Sequence, residues 1–338
     1  MVSLLYIFSI LFIITMRNSK AVKTVLKKSS YGVSYTGAGL LTPFHLGASS
    51  YLREKGIVSD STVLAGSSGG ALSTVTTALN LSSTSTLEAC TYIASECRSK
   101  GTRLTLRLAL DEMLRELLPS DSADLINNRE SSCYVAYAEI YPRFASCVIS
   151  KFEDKTDLID VLRASCNIPF YFNGNYPAVS VRKGAGVDGF FAFPFSRFGA
   201  PTTYAPHELI ITPFQPKLVG LRPDPQPIDT IPPSLQRIDI ISPSLLSPYD
   251  WLFSTTENIQ LAVLPPSLAL VNSLKQKMSI HGTSGIDTLI SQGIQCARTY
   301  NGLDDIELVN VYLYNCGILA ADKWYTATTT QAPYYADV

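Results

Sequence analysis

The chain has 338 residues, of which 46% are hydrophobic and only 16% charged, and its net charge is −1. This length and composition allow one large domain with a sizeable core, and the balanced charge argues against nucleic acid as a partner. Seven cysteines are scattered through apolar segments without the spacing of metal ligands, so we expect reduced core residues and no bound metal.

Residues 2–16 form an uninterrupted run of 15 uncharged, mostly apolar residues, and five basic residues follow between positions 17 and 28. The run is short for a spanning helix and fits a signal sequence or an interfacial anchor. Because the positive charge follows the run, the positive-inside rule places the next segment on the cytosolic side. We therefore predict that residues 1–28 anchor the chain to a membrane such as the endoplasmic reticulum or to a lipid droplet. A cleaved signal and a secreted or lumenal product are the alternative, favoured by the sequon at Asn80.

From residue 29 the sequence has the pattern of a compact domain. A short alternating strand at 31–35 leads into Gly37-Ala38-Gly39 and then into an apolar helix at 44–53. A glycine loop between a strand and a helix presents backbone N–H groups to an anion. A dinucleotide site would need a third glycine where Thr42 stands and an acidic residue closing the next strand, whereas Asp60 precedes that strand. An oxyanion hole for acyl transfer fits better, because of the motif that follows.

That motif is a strand-like run at 63–65 that ends in Gly-Ser-Ser-Gly-Gly at 66–70, followed by a predicted helix. In this context the central serine of G-x-S-x-G sits on a tight strand-to-helix turn that lifts its Oγ clear of the sheet. The positive end of the new helix favours a developing negative charge at the same place. Ser68 is therefore the candidate nucleophile.

Further elements follow the serine motif. We predict helices at 71–78 and 87–100, an amphipathic helix at 106–117, strands at 132–140 and 145–152, and a helix that begins at Thr156 and ends near Cys166. The leucine-rich stripe of 106–117 is typical of core packing, with a lipid-facing surface as the alternative. Asp188 then stands on a glycine turn at a strand end, where it is either a catalytic group or a plain turn residue.

Gly37-Ala38-Gly39, the serine motif and Asp188-Gly189, in this order, resemble the three signatures of the patatin-like phospholipases. The resemblance is closest to the branch of adipose triglyceride lipase and adiponutrin. That branch has similar stretches at Phe44-His45-Leu46-Gly47 and at 162–170, Leu-Arg-Ala-Ser-Cys-Asn-Ile-Pro-Phe. This chain departs from the family pattern at Thr42, where a third loop glycine is usual, and at Phe190, where a small residue is usual.

The resemblance, which covers roughly residues 30–300, implies an α/β fold with three layers, a central mostly parallel sheet flanked by helices. We place this domain at residues 29–325 and predict a tail at 326–338. It implies a lipid acyl hydrolase without a cofactor, acting on triacylglycerol or phospholipid of membranes or lipid droplets. Ser68 would be the nucleophile and Asp188 the base. The oxyanion hole would be formed by the N–H groups of Gly37, Ala38, Gly39 and Gly69.

Two alternatives to this mechanism are open. A Ser…Asp…His triad would use His207 or His281. The departures at Thr42 and Phe190 would also suit a catalytically impaired protein of the same fold that binds lipid surfaces without turnover. If Ser68 and Asp188 act as a dyad without a histidine, we expect Asp188 to be partly desolvated, because its apolar neighbours would then raise its pKa.

Beyond residue 213 the sequence carries less information. Nine prolines between 213 and 248 predict an extended surface segment. Helical patterns follow at 259–274, broken by Pro265-Pro266, and at 285–298.

Overall fold

The computed structural model describes residues 31–174, 176–222, 236–281 and 302–330, together with 287, 289, 291–292, 294–295 and 300. The predicted anchor at 1–28 and most of the predicted helix at 285–298 lie outside the described residues. The last described helix continues to Thr330, past the point where the sequence places the start of the tail.

Strands and helices are interspersed along the chain. The strands are β1 (Tyr31–Tyr35), β2 (Val63–Ser67), β3 (Cys133–Tyr141), β4 (Ala145–Ile149), β5 (Val179–Val181), β6 (Gly184–Val187), β7 (His207–Ile211) and β8 (Arg237–Ile241). The helices are α1 (Thr42–Glu54), α2 (Gly69–Ala78), α3 (Ser83–Lys100), α4 (Thr105–Leu117), α5 (Ser122–Asn127), α6 (Lys155–Ser165), α7 (Pro216–Val219), α8 (Thr255–Val263), α9 (Leu268–His281) and α10 (Asp305–Thr330).

The described strands form one mixed sheet in which five neighbours, β3, β2, β1, β7 and β8, run parallel. β4 and β6 pair with β3 antiparallel, and β5 pairs with β6 antiparallel. The central strands are buried along almost their whole length, which requires cover on both faces of the sheet. The predicted mostly parallel α/β sheet flanked by helices is thus confirmed.

Alternate residues of the central strands contact different layers. Val33, Tyr35 and Leu64 point into the main core. On the other face, Ser34 donates a hydrogen bond to the carbonyl of Pro201, in the irregular segment between β6 and β7. That segment, rather than a long helix, covers the second face beside β1.

The register along β3 positions the site. β2 pairs with residues 133–136 of β3, and β6 pairs with 138–141. β4 pairs with residues 135–139, so it must occupy the other edge of β3. β2 and β6 therefore follow one another along a single edge of β3, and they point toward each other.

Two details differ from the sequence predictions. The helix predicted to begin at Thr156 has Asp154 as its N-cap, whose carboxylate accepts from the Asp157 N–H, because Asp caps a helix at least as well as Thr. The proline-rich segment is not wholly extended, since it contains α7 and the strand β8. The leucine-rich stripe on α4 packs inward as predicted, with Leu110 and Leu114 buried in the core.

Helices α1 and α10 pack with their backbones in close contact. Gly47 of α1 faces the carbonyl of Tyr314, and Gly317 of α10 faces the carbonyl of Phe44, with no room for a Cβ at either position. Tyr51 adds a hydrogen bond from its hydroxyl to Asp322 Oδ1 at 2.7 Å. Glycine is required at these two positions because of the close approach.

Gly47→Ala should lower the free energy of unfolding by about 1–3 kcal/mol, because the added methyl group forces the two helices apart. Urea unfolding followed by circular dichroism measures the change. Ser50→Ala on the same helix is the matched control and should change stability by less than about 0.5 kcal/mol. Equal effects of the two substitutions would contradict the close packing.

Candidate active site

Ser68 lies on the sharp turn between β2 and α2. Its backbone angles are φ 54° and ψ −131°, a strained conformation for a residue with a side chain. The turn is possible because its neighbours are small: a Cβ on Gly66 would overlap the backbone of Gly70, and one on Gly70 would overlap the carbonyl groups of Tyr35 and Thr36. The predicted strand-to-helix elbow is therefore present.

The turn after β6 brings Asp188 to this elbow. Ser68 Oγ donates a hydrogen bond to Asp188 Oδ2 at 2.8 Å. The second carboxylate oxygen accepts from the Phe190 N–H at 2.8 Å, and the Asp188 N–H donates to the carbonyl of Asn167 at 2.9 Å. Both side chains are buried, Ser68 being 8% and Asp188 1% exposed. Two residues that are 120 positions apart in the sequence are in direct contact.

Burial is the main influence on the charge of Asp188. Desolvation raises its pKa to about 7, although the hydrogen bonds from the Phe190 N–H and from Ser68 act in the opposite direction. A carboxyl group with such a pKa is present in both protonation states near neutral pH. It can therefore accept a proton and return it.

The glycine loop lies against the same turn. The β1 ladder ends with the Thr36 N–H, which donates to the carbonyl of Ile211, and Gly37, Ala38 and Gly39 follow. A Cβ on Gly37 would lie 3.7 Å from the Cβ of Ser68, and one on Gly69 would lie 2.9 Å from the nitrogen of Gly39. The structure thus brings together Gly37, Ala38, Gly39 and Gly69 around Ser68.

The two departures from the family pattern have structural explanations. Thr42 Oγ1 donates to the carbonyl of Gly39 at 2.7 Å, which fixes the end of the glycine loop. The ring of Phe190 lies next to Gly37 and packs edge-on against Phe195 and Phe198. Thr42 therefore supports the loop, and Phe190 adds an apolar wall beside Ser68.

None of the described imidazole groups lies between Ser68 and Asp188. His207 begins β7, at the opposite end of the parallel strands from Ser68, and its ring packs against Tyr31. His45 is buried in α1, its Nδ1 3.4 Å from the hydroxyl of Ser73, and desolvation lowers its pKa to about 3. His281 ends α9, and its side chain lies outside the described residues.

Ser165, at the end of α6, is a further residue of the site that the sequence analysis did not single out. Its buried Oγ accepts a hydrogen bond from the Ser68 N–H at 2.9 Å and donates one to the carbonyl of Ala136 at 2.6 Å. It therefore links the strained turn to β3. The Ala-Ser-Cys stretch carried part of the family resemblance, but nothing in a single serine at a helix end predicts this contact.

The hydroxyl of the neighbouring Ser67 is engaged in a different hydrogen bond. Its Oγ donates to the carbonyl of Gly199 at 2.6 Å.

Within the described residues, no three His, Cys, Asp or Glu side chains come close enough to hold a metal ion. No helix in the described part of the chain is both long and apolar enough to cross a membrane.

The chain is similar in sequence to known proteins. Residues 34–198 match the patatin-like phospholipase family. The chain is also similar to the human protein named 1-acylglycerol-3-phosphate O-acyltransferase PNPLA3, with 28% identity over 166 residues. That match covers 47% of this chain and 33% of the human protein, so the chain spans about a third of the relative's length.

Ser165→Ala should lower the free energy of unfolding by about 1–3 kcal/mol, because it leaves the buried N–H of Ser68 without an acceptor. Ser180→Ala, at an exposed position, is the control and should be neutral within about 0.5 kcal/mol. Chemical denaturation of both variants makes the comparison. A neutral Ser165→Ala would show that the turn does not need this contact.

The free energy of unfolding should also depend on pH in a way that reflects the raised pKa of Asp188. Because its pKa is raised, the folded state binds the proton more tightly than the unfolded chain, so this group stabilises the fold at low pH. That contribution is lost as the pH rises from about 4 to about 7. Asp188→Asn should therefore gain stability relative to wild type over this range, by about 1–3 kcal/mol. A difference between the two proteins that stayed constant from pH 4 to pH 8 would rule out a raised pKa.

Proposed function

From the match of residues 34–198 to the patatin-like phospholipase family, we propose that this protein is a lipid acyl hydrolase that cleaves carboxylic esters through a Ser68–Asp188 dyad. The observation that carries the proposal is the direct hydrogen bond of 2.8 Å from Ser68 Oγ to Asp188 Oδ2, in a buried site where the pKa of Asp188 is about 7. A serine is activated when a base lies within hydrogen-bond reach. Here the carboxylate occupies that position itself.

The reaction would proceed in two halves. Ser68 Oγ attacks the ester carbonyl and passes its proton to Asp188 Oδ2. The N–H groups of Gly37, Ala38, Gly39 and Gly69 stabilise the oxyanion of the tetrahedral intermediate. Asp188 then protonates the departing alcohol, which leaves an acyl group on Ser68. Water attacks this acyl-enzyme and gives its proton to Asp188, which passes it on to Ser68 Oγ as the bond to the acyl group breaks and the fatty acid is released.

Ser165 would contribute by holding the nucleophile in place. Its hydroxyl accepts the Ser68 N–H, so that N–H is engaged and does not belong to the proposed oxyanion hole. The donors come instead from the glycine loop and from the first turn of α2, where backbone N–H groups have no partner within the helix. This division leaves Ser68 Oγ free to rotate between Asp188 and the substrate.

The substrate class follows from the apolar surroundings of the dyad. The ring of Phe190 lies next to Gly37, near Ser68, and the rings of Phe195 and Phe198 pack against it. Such an aromatic cluster suits acyl chains. We propose triacylglycerol or phospholipid of a membrane or lipid droplet as the substrate. The human relative is named an acyltransferase, which favours a second candidate: transfer of the acyl group from Ser68 to a lipid hydroxyl instead of to water.

A substrate panel distinguishes these candidates. Purified protein is given emulsified triacylglycerol, phosphatidylcholine vesicles, or a fatty acyl donor with 1-acylglycerol-3-phosphate, and the products are identified by mass spectrometry. Free fatty acid supports hydrolysis, whereas diacylglycerol phosphate supports transfer. Absence of turnover on every substrate would favour the lipid-binding protein without catalysis.

Ser68→Ala and Asp188→Asn should each reduce kcat by a factor of about 10² to 10⁴, because each removes a reacting group. Ser67→Ala is the matched control, since its hydroxyl faces Gly199, and it should retain activity within about tenfold. His207→Ala should do the same. If His207→Ala were as damaging as Asp188→Asn, the dyad would be wrong.

The pH dependence provides a separate test of the base. Because the carboxylate must be ionised to accept the proton, kcat/KM should rise with pH and level off above about 7. Initial rates on a soluble ester between pH 5 and pH 9 measure the midpoint. A midpoint near pH 4, the ordinary range of an aspartate, would contradict a desolvated base.

For location, we propose that residues 1–28 attach the chain to a membrane with the domain on the cytosolic side. The basis is the apolar run at 2–16 with its basic flank. Protease added to intact microsomes should digest the domain without detergent. Protection of the domain until detergent is added would favour the lumenal alternative.

A further inference from the structure

Two stretches without charge border the site. Residues 164–181 and 258–274 contain no Asp, Glu, Lys or Arg. The first stretch includes Asn167, whose carbonyl accepts the Asp188 N–H. The second includes Ala262, whose carbonyl lies against Gly39 of the glycine loop. Both stretches therefore reach the dyad, from different sides.

The two stretches also contact each other. The hydroxyl of Tyr171 donates a hydrogen bond to the carbonyl of Val263, at the end of α8. The Leu104 N–H donates to the carbonyl of Tyr171, which adds the start of α4 to the same surface. On the far side of Gly37, Phe190 connects the site to Phe195. These contacts place both stretches, the start of α4 and Phe195 around the dyad. A substrate would have to reach Ser68 from between them, and we call this approach the opening of the site.

Large apolar side chains are exposed on these segments. We call six of them the apolar rim: Leu104, Phe170, Tyr176, Phe195, Ile259 and Leu264, each between 36% and 68% exposed. Soluble proteins rarely leave this many large apolar groups together in water without a binding role. The nearby cation, Arg103, donates to the carbonyls of Phe170 and Gly174, so its guanidinium braces the rim.

The position of the rim decides what covers it. A protein partner or a second copy of the chain that covered every side chain of the rim would block the opening of the site. A lipid layer covers the same side chains and also supplies the substrate. The absence of charge in both stretches matches an uncharged lipid surface, since an anionic membrane would be met by lysines and arginines.

We infer that the apolar rim inserts into the surface of a neutral lipid layer and holds the opening of the site against it. The inference rests on the proposed lipid substrate. It is separate from the predicted anchor at 1–28, because it concerns the face of the folded domain. The inserted side chains would exclude water from the path of the acyl chain into the site.

Tryptophan reporters test the insertion in the full chain carrying Ser68→Ala, so that no turnover is needed. Leu264→Trp and Ile259→Trp report on the rim. Leu125→Trp is the matched control, because α5 precedes the start of β3 and the dyad lies at the other end of the parallel strands. With vesicles of brominated phosphatidylcholine, the rim reporters should lose about half of their added emission and the control less than about a tenth. Quenching should persist between about 50 and 500 mM salt, because no charge pairing is involved.

Two results would overturn the inference: rim reporters that are not quenched, or a control reporter that is quenched equally. A third would be a dimer, seen by sedimentation velocity without lipid, that the double variant Leu104→Gln with Leu264→Gln dissociates. That outcome would make the rim an interface between copies.

The same double variant separates this inference from the proposed activity. The ratio of its rate on emulsified triacylglycerol to its rate on a monomeric ester should fall about tenfold relative to wild type. Leu125→Gln with Ile280→Gln is the control and should keep the ratio. An unchanged ratio in the rim variant counts against insertion. If the wild type hydrolyses nothing while the rim reporters are quenched, insertion stands and the hydrolase proposal fails.

Discussion

The site depends on how two strands, β2 and β6, share one edge of a third strand, β3. β2 ends where Ser67 pairs with Ala136, and β6 arrives from the other direction with Val187 paired to Ala138. The chain after β6 must then pass over the carbonyl of Ala136, where a Cβ on Gly189 would overlap it. Ser165 donates to that same carbonyl and accepts the Ser68 N–H. A single peptide group of β3 is thus in contact with the supports of both Ser68 and Asp188.

Burial gives this arrangement its chemistry. In water the carboxyl of an aspartate is a weak base at neutral pH, since its usual pKa is about 4. Enclosed between Ser68 and the Phe190 N–H, Asp188 has a pKa of about 7. As a consequence, Asp188 destabilises the folded state when it is ionised, and the strained φ of Ser68 destabilises the folded state further. Stability and reactivity therefore oppose each other at the same two residues.

Much of this was predictable from the sequence, because it depends on residues with few structural options. The glycines at 66, 69 and 70 and the pair Asp188-Gly189 mark turns where a side chain does not fit, and the strands and most helices before residue 170 follow from hydrophobic periodicity. The raised pKa of Asp188 was predictable as a direction, because the residues around it in the sequence are apolar. Its value depends on how completely the fold encloses it.

Other features could not be predicted from local patterns. β8 lies in a proline-rich region and is recognisable only because β7 provides an edge to pair with. α10 is packed through glycine contacts with α1, more than 250 residues away. Ser165 gains its role from tertiary structure alone. The apolar rim likewise appears only when the segments at 104, 170 and 264 are brought together.

The central claim is that Asp188 directly accepts the proton of Ser68. The rate at which a fluorophosphonate probe modifies the protein measures this without a lipid substrate. The account predicts a single adduct on Ser68, formed at a rate that rises with pH to a midpoint near 7 and that Asp188→Asn reduces by about 10²-fold or more. An adduct on another serine, or a rate that Asp188→Asn leaves unchanged, would contradict it.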